Sequence, residues 1–439
     1  MSSVVVVAAA DTDTDDPTPL LHDSSPYGDS AAGDEEIAPS SSSNEPDGLS
    51  RPNSSVGSNQ RLASLDVFRG LTVALMILVD DAGGAFPSIN HSPWFGVTLA
   101  DFVMPFFLFG VGVSIGLVFK KVTNKQSATK KVILRTIKLF LLGVVLQGGY
   151  FHGRNDLSYG VDVRKLRWLG VLQRISIGYL FASVLEIWLV NNVAVDSALT
   201  FVKRYCIQWT AAFLLVSVYM SLFYGLFVPD WNYEVPSVNM SSSTSRYGSG
   251  TQIVHCGMRG SLDPACNAVG LVDRFILGVD HLYQHPVYRR TKECSVNSPD
   301  YGPLPQNPPE WCLAPFDPEG ILSSLMAAMT CVVGLHFGHI IVHFKVDVKH
   351  VKKSAMVLQW MGMNALIIYA LGACDLFPAA LQGLYWRSPE NNLVDGTESL
   401  LQSMLHSRKW GTLAFVVLEI LFWGLVAGFL NMKRFYIRL

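Results

Sequence analysis

His91 stands in the segment Ser88-Ile-Asn-His-Ser-Pro-Trp94, with Asp80 and Asp81 shortly before it and Asp101 ten residues after it. Imidazole is the side chain most easily poised between its two protonation states near neutral pH, and a neighbouring carboxylate fixes its tautomer and raises its basicity. One His and three carboxylates so close in sequence are the equipment of a general base or a transient nucleophile. The competing reading is structural. A lone loop histidine is usually solvated, and Asp80 and Asp81 can end a helix in water. Asp101 lies inside an apolar stretch, where an ionisable group counts as functional by default.

Other chemistry-bearing residues are more scattered. Asp66 and Arg69 precede Asp80 by about one membrane-spanning helix, since fourteen residues rise about 21 Å. Gln173-Arg174 lies in a later apolar run, where Arg174 can reach a phosphate or carboxylate or pair with Glu186. Asp317-Pro-Glu319-Gly320 opens another run, and acids suit a helix N-terminus whatever the function. His336, His339 and His343 recur at helical spacing, but no carboxylate or Cys near them in sequence completes a metal site, so no metal is expected. Asn364 reads as an interhelical hydrogen-bond residue. The chain contains no Gly-rich phosphate loop, G-x-S-x-G elbow or H-E-x-x-H.

The elements that must position these residues are set by composition. Of 439 residues, 15% are charged and 50% hydrophobic, with a mean hydropathy of +0.30; soluble domains carry about 25% charge. The first 60 residues hold 11 acidic residues and only Arg51 as a base, leaving the remainder with a net charge of about +8. Residues 1–60 therefore read as a disordered acidic tail. They show no cleaved signal, and Asp16 to Leu21 resembles an acidic dileucine sorting motif. Lys and Arg lie between long apolar runs rather than on one face, which excludes a nucleic-acid partner and makes membrane lipid the expected surroundings.

Eight runs are long enough to cross a bilayer, roughly 66–86, 97–118, 132–150, 171–190, 209–228, 320–343, 355–377 and 410–430. The expected fold is an all-α polytopic bundle of about eight transmembrane helices over residues 61–439. Gly112 and Gly116 form a small-xxx-small pattern for close helix packing. Lys120, Lys121, Lys125, Lys130 and Lys131, then Lys345 to Lys353, and Lys433 to Arg438 place both termini in the cytosol by the positive-inside rule. The segment 151–170 dissents, carrying Arg154, Arg164, Lys165 and Arg167 on the expected far side. The long loop 229–319 falls on that non-cytosolic side. It holds Cys256, Cys266, Cys294 and Cys312 and the sequon Asn239-Met-Ser, so two disulfides are expected in one of three connectivities. Cys206, Cys331 and Cys374 read as buried packing residues.

Several ordered motifs together are distinctive: Arg61-Leu-Ala-Ser-Leu-Asp66-Val-Phe-Arg69-Gly70, Asn90-His91-Ser-Pro-Trp94-Phe-Gly96, Asp101-Phe-Val-Met-Pro105, Leu169-Gly-Val-Leu-Gln173-Arg174, Phe316-Asp317-Pro-Glu319-Gly320 and Trp360-Met-Gly-Met-Asn364. The chain resembles the heparan-α-glucosaminide N-acetyltransferase family, in a plant-type form without an N-terminal lumenal domain. The resemblance implies transfer of acetyl from cytosolic acetyl-CoA to the amine of a lumenal amino sugar. The family's active-site histidine falls on His91, oriented by Asp80 or Asp101, with Arg69 and Arg174 as partners for the coenzyme A phosphates. It also implies a vacuolar or lysosomal membrane, small-molecule donor and amine partners, and admits a homodimer.

The sequence departs from that pattern twice. Animal members carry Asn where Asp80 stands. The chain also runs from Lys345 almost directly to Met356, where family members place about two more spans. The alternatives are thus a transporter of small sugars or acids, using Asp101 and Arg174, or a shortened, inactive member.

Overall fold

A computed structural model describes residues 63–119, 124–147, 150–152, 157–159, 166–190, 195, 197–235, 250–343, 355–388 and 390–436. The acidic tail with its dileucine pattern, the sequon, and Lys345 to Lys353 lie outside the described residues. The remainder is a helical membrane protein. Its helices are α1 (Ala63–Ala82), α2 (Leu99–Val118), α3 (Lys125–Gln147), α4 (Val171–Trp188), α5 (Ala198–Gly225), α6 (Ala268–Leu277), α7 (Ile321–His343), α8 (Met356–Met363), α9 (Ala365–Gly372), α10 (Leu376–Gln382), α11 (Leu393–Leu405) and α12 (Arg408–Met432).

A helix occupies every one of the eight apolar runs. Five of them, in α2, α4, α5, α7 and α12, are long and apolar enough to span a membrane, or six if the bent pair α9 and α10 is one span. Charge separates the others: α1 carries Asp66, Arg69, Asp80 and Asp81, and α3 carries Lys125, Lys130, Lys131, Arg135 and Lys138. The run 355–377 is not one helix. It breaks at Asn364, which adopts φ −115° and ψ 25° between α8 and α9. Asn accepts such a conformation readily because its short amide competes with the helix backbone. The expected interhelical bond from Asn364 is absent, because neither side-chain amide atom has a partner among the described residues.

Two apolar clusters hold the bundle. One gathers Leu108, Ile115, Leu172, Tyr179, Cys331 and Leu335 from α2, α4 and α7. The other gathers Val73, Ile77, Val103, Met361, Ile368 and Trp423 from α1, α2, α8, α9 and α12. Phe107 and Tyr369 pack against both. The Gly112 and Gly116 pair does what its spacing suggests, and meets a second pair of the same spacing, Gly334 and Gly338, on α7. A Cβ on Gly112 would strike the Cys331 carbonyl, one on Gly334 the Phe109 carbonyl, and one on Gly338 would lie 2.8 Å from the Val113 carbonyl. The backbones of α2 and α7 therefore touch directly.

Between α5 and α7 the chain leaves the bundle and builds a small separate layer. Strand β4 (Trp231–Glu234) pairs antiparallel with β5 (Thr251–Val254), and β3 (Phe227–Val228) with β6 (Met258–Arg259). These follow a short hairpin, β1 (Tyr150–His152) with β2 (Leu157–Tyr159), between α3 and α4. The four loop cysteines pair as Cys256–Cys266 and Cys294–Cys312, which selects one connectivity of the three. Cys331 is buried and Cys374 half-buried, whereas Cys206 is exposed on α5 and is not a packing residue.

Candidate active site

The linker between α1 and α2 folds back so that His91 meets the first turn of α2. His91 Nδ1 lies 2.8 Å from Asp101 Oδ1. Asp101 Oδ2 accepts from the Thr98 backbone N–H at 2.9 Å and from the Thr98 hydroxyl at 3.2 Å. Thr98 is the N-cap of α2 in a capping box, so the carboxylate that orients the imidazole also closes the helix end. Asn90 steadies the other side: its Oδ1 accepts from the His91 backbone N–H at 2.8 Å and from Arg290 Nη1 at 3.2 Å. Trp94 ties the linker to the outer layer by donating to the Leu262 carbonyl at 2.8 Å and meeting Tyr288 and Phe316 edge-on.

The hydrogen bond to Asp101 raises the His91 pKa above its ordinary 6.5, with the charges of Asp101, Asp80 and Glu319 adding to it and burial opposing it. The two neighbouring aspartates of α1 diverge. Asp80 acts on His91, while Asp81 turns to Glu419 of α12, which also accepts from Trp423 Nε1 at 3.3 Å. His91 is half-exposed, so its ring can meet a substrate.

Arg167, Asp317 and Glu319, not read as site residues from the sequence, meet near His91. Arg167 donates Nε–H to Asp317 Oδ2 at 2.8 Å and Nη2–H to Asp317 Oδ1 at 2.5 Å, and also pairs with Glu319. Burial raises the pKa of Asp317, and Arg167 works against that. For Arg167, burial opposes the charge, but the two carboxylates hold its pKa above the ordinary value. Asp317 and Glu319 are therefore not the acids that cap α7. That role falls to Asp273 of α6, whose Oδ1 accepts from the Ile321 backbone N–H at 2.8 Å; burial pushes the Asp273 pKa up to about 7. Tyr369 of α9 lies within electrostatic reach of Glu319, Asp80 and Arg167. The signal for Arg167 was its position: a base on the side where the charge rule expects none has a buried partner.

The two arginines read as phosphate partners are not brought together. Arg174 sits in the first turn of α4, its Nη2 3.4 Å from the Ser323 carbonyl, at the His91 end of the bundle. Arg69 sits near the other end of α1, bonded to Ser114 and 3.4 Å from Asp66. Eleven residues of helix, about 16 Å, separate Arg69 from Asp80. Nor does Arg174 meet Glu186, which contacts His339 at 2.9 Å. That contact also supplies a carboxylate to the His336, His339, His343 series, although among the described residues no group of three or more His, Cys, Asp or Glu could hold a metal.

Residues 61–230 match the family model described as heparan-alpha-glucosaminide N-acetyltransferase, catalytic. The chain is 29% identical to the mouse heparan-alpha-glucosaminide N-acetyltransferase over 344 residues, 74% of this chain and 46% of that protein. It is 29% identical to the human protein of the same name over 308 residues, 66% of this chain and 40% of that protein. The resemblance carried by the motifs is thus shown, and His91, Asp80, Asp101, Arg69 and Arg174 all fall inside the matched segment. The chain spans less than half the length of either relative.

Proposed function

We propose that this chain is a transmembrane N-acetyltransferase that takes acetyl from acetyl-CoA and passes it to an amine, with His91 at the reacting centre. The observation that carries the reading is the 2.8 Å contact between His91 Nδ1 and Asp101, within reach of the charges of Asp80 and Glu319. With Nδ1–H given to Asp101, Nε2 presents its lone pair to the cleft. It takes a proton from the acceptor amine as the nitrogen attacks the thioester carbonyl carbon. The C–S bond then breaks, and the imidazolium returns the proton to the departing thiolate. Asp101 holds the ring in this tautomer, and Asp80 adds negative charge that favours the imidazolium.

Arg69, at the end away from His91, suits the donor's phosphates. Arg174 suits the half of the site nearer the acceptor. Donor and acceptor then approach from opposite ends, as cytosolic and lumenal substrates would in a vacuolar or lysosomal membrane with both termini cytosolic. An amino sugar is the acceptor class that the relatives' name supports. In a variant of this chemistry the acetyl group rests on His91 Nε2 before the amine attacks. Initial rates with both substrates varied separate the two: intersecting double-reciprocal lines support direct transfer, and parallel lines support the acetyl-His route.

The deciding experiment is acetyl transfer from labelled acetyl-CoA to a panel of amines, glucosamine included, by the purified full chain beside His91→Ala. Product is expected from the native chain, with loss of about 10²-fold or more in the variant. Equal product from both would remove His91 from the chemistry. No product with any amine, and no stabilisation by acetyl-CoA in a thermal melt, would overturn the reading in favour of a transporter or an inactive member.

A further inference from the structure

Between α4, α5 and α7, toward the end away from His91, the bundle encloses ionisable side chains that acetyl transfer does not use. His339 Nε2 lies 2.9 Å from Glu186 Oε2, and Gln208 donates Nε2–H to that same oxygen at 2.9 Å. Tyr205 stacks flat on His339, with ring centroids 4.1 Å apart and planes 14° from parallel. One turn along α7, His336 stacks on Trp209 at 4.3 Å and 7°. His336 is 4% exposed, and neither of its ring nitrogens has a partner among the described residues. Gln208 Oε1 and Ser183 Oγ, on residues with no exposed surface, are likewise unpartnered.

A purely structural ion pair in an apolar bundle normally saturates its polar neighbours. Here unsatisfied hydrogen-bonding groups surround a carboxylate and an imidazole, the setting in which intramembrane acids and histidines handle protons. Buried Glu186 has the His339 imidazole as its partner, and that ring lies flat against Tyr205. His336 offers an adjoining ring with one acceptor nitrogen and one N–H. At the C-terminal end of α7, half-buried His343 places Nε2 3.0 Å from the Tyr205 hydroxyl. Of the other charged groups on the packed elements, Arg204 lies over the Tyr205 ring at 5.7 Å. Helix α3 turns Arg135 onto Tyr179, and α2 presents no charged residue beyond Asp101.

We propose that Glu186, His339 and His336 form an intramembrane proton-binding site that exchanges with water at the end away from His91 through Tyr205 and His343. The proposal stands independently of the acetyltransferase reading, because none of these residues contributes to the His91 cleft. It gives the chain a proton-linked property of the kind that carriers use.

The test is nitrogen-15 NMR of histidine-labelled full chain in lipid nanodiscs, with the His339 signal assigned by its loss in His339→Gln. His339 is expected to read as imidazolium at pH 6 in the native chain and as neutral imidazole in Glu186→Gln. Tyr205→Phe keeps the ring stack and removes only the hydroxyl, so it is expected to slow exchange of the His339 ring protons with water. A neutral His339 in the native chain overturns the proposal. So does exchange unchanged by Tyr205→Phe, which would leave a structural ion pair only. Should Glu186→Gln fail to assemble, the native charge state and the Tyr205→Phe exchange rate still decide.

Discussion

At the scale of single residues, Asp101 both caps α2 and grips His91 through its two carboxylate oxygens, so helix end and reactive ring are set by one group. Protonated His91 is favoured by Asp101, so this contact contributes stability below about pH 6.5 and loses it as pH rises through the raised value. The contribution is small because the ring is half-exposed. Under the proposed acetyl transfer, activity runs the other way, since His91 as the base must be neutral: transfer should fall as pH drops through the raised pKa. Asp101→Asn removes the cause of the rise. Its acid limb in a kcat/KM profile is therefore expected at lower pH than in the native chain, with a plateau about 10²-fold lower from loss of the correct tautomer. An acid limb that stays in place would show that another group sets it. His91, Asp80 and Asp101 were legible in the sequence because a short linker brings them together. Arg167 and Glu319 were not, because their meeting depends on how α4 and α7 pack.

At the scale of elements, direct backbone contact between α2 and α7 makes the crossing sensitive to any added side-chain volume. Gly112→Val would drive its Cβ into the Cys331 carbonyl and add two methyl groups at the crossing. It is expected to cost about 1–3 kcal/mol and to lower the thermal midpoint. Gly84→Ala, where an added Cβ meets nothing within 4 Å, should leave the midpoint unchanged. Equal midpoints for both would mean that the helices can separate without loss. The sequence carries both halves of this crossing as glycines four apart, Gly112 with Gly116 and Gly334 with Gly338, although only the first was read as a packing pattern. It could not show which helix would be the partner. Hydropathy likewise located the eight helical runs, but not the break at Asn364, because a single polar residue barely alters the mean over a long apolar window. The outer layer was visible as a Cys-bearing loop, and the choice among three disulfide pairings had to wait for the fold.

At the scale of the whole molecule, the expected orientation puts the disulfide-bearing layer, His91 and Asn239 on one side of the membrane. Expression in a eukaryotic secretory system is therefore expected to glycosylate Asn239. The readout is a gel shift removed by endoglycosidase and absent in Asn239→Gln. A chain that never shifts, in cells that glycosylate a control sequon, would point the layer toward the cytosol and reverse the assignment of donor and acceptor ends. The clamp of Arg167 on Asp317 joins positions 150 residues apart. At about 5–20 residues per second of synthesis, roughly 8 to 30 s pass between the emergence of the cation and that of its carboxylate. Throughout that interval a guanidinium destined for the interior has no mate, although α4 can already pack against α2 and α3. Such a chain is born with an unpaired charge in its middle, and the fraction that matures will depend on what shelters Arg167 until Asp317 arrives.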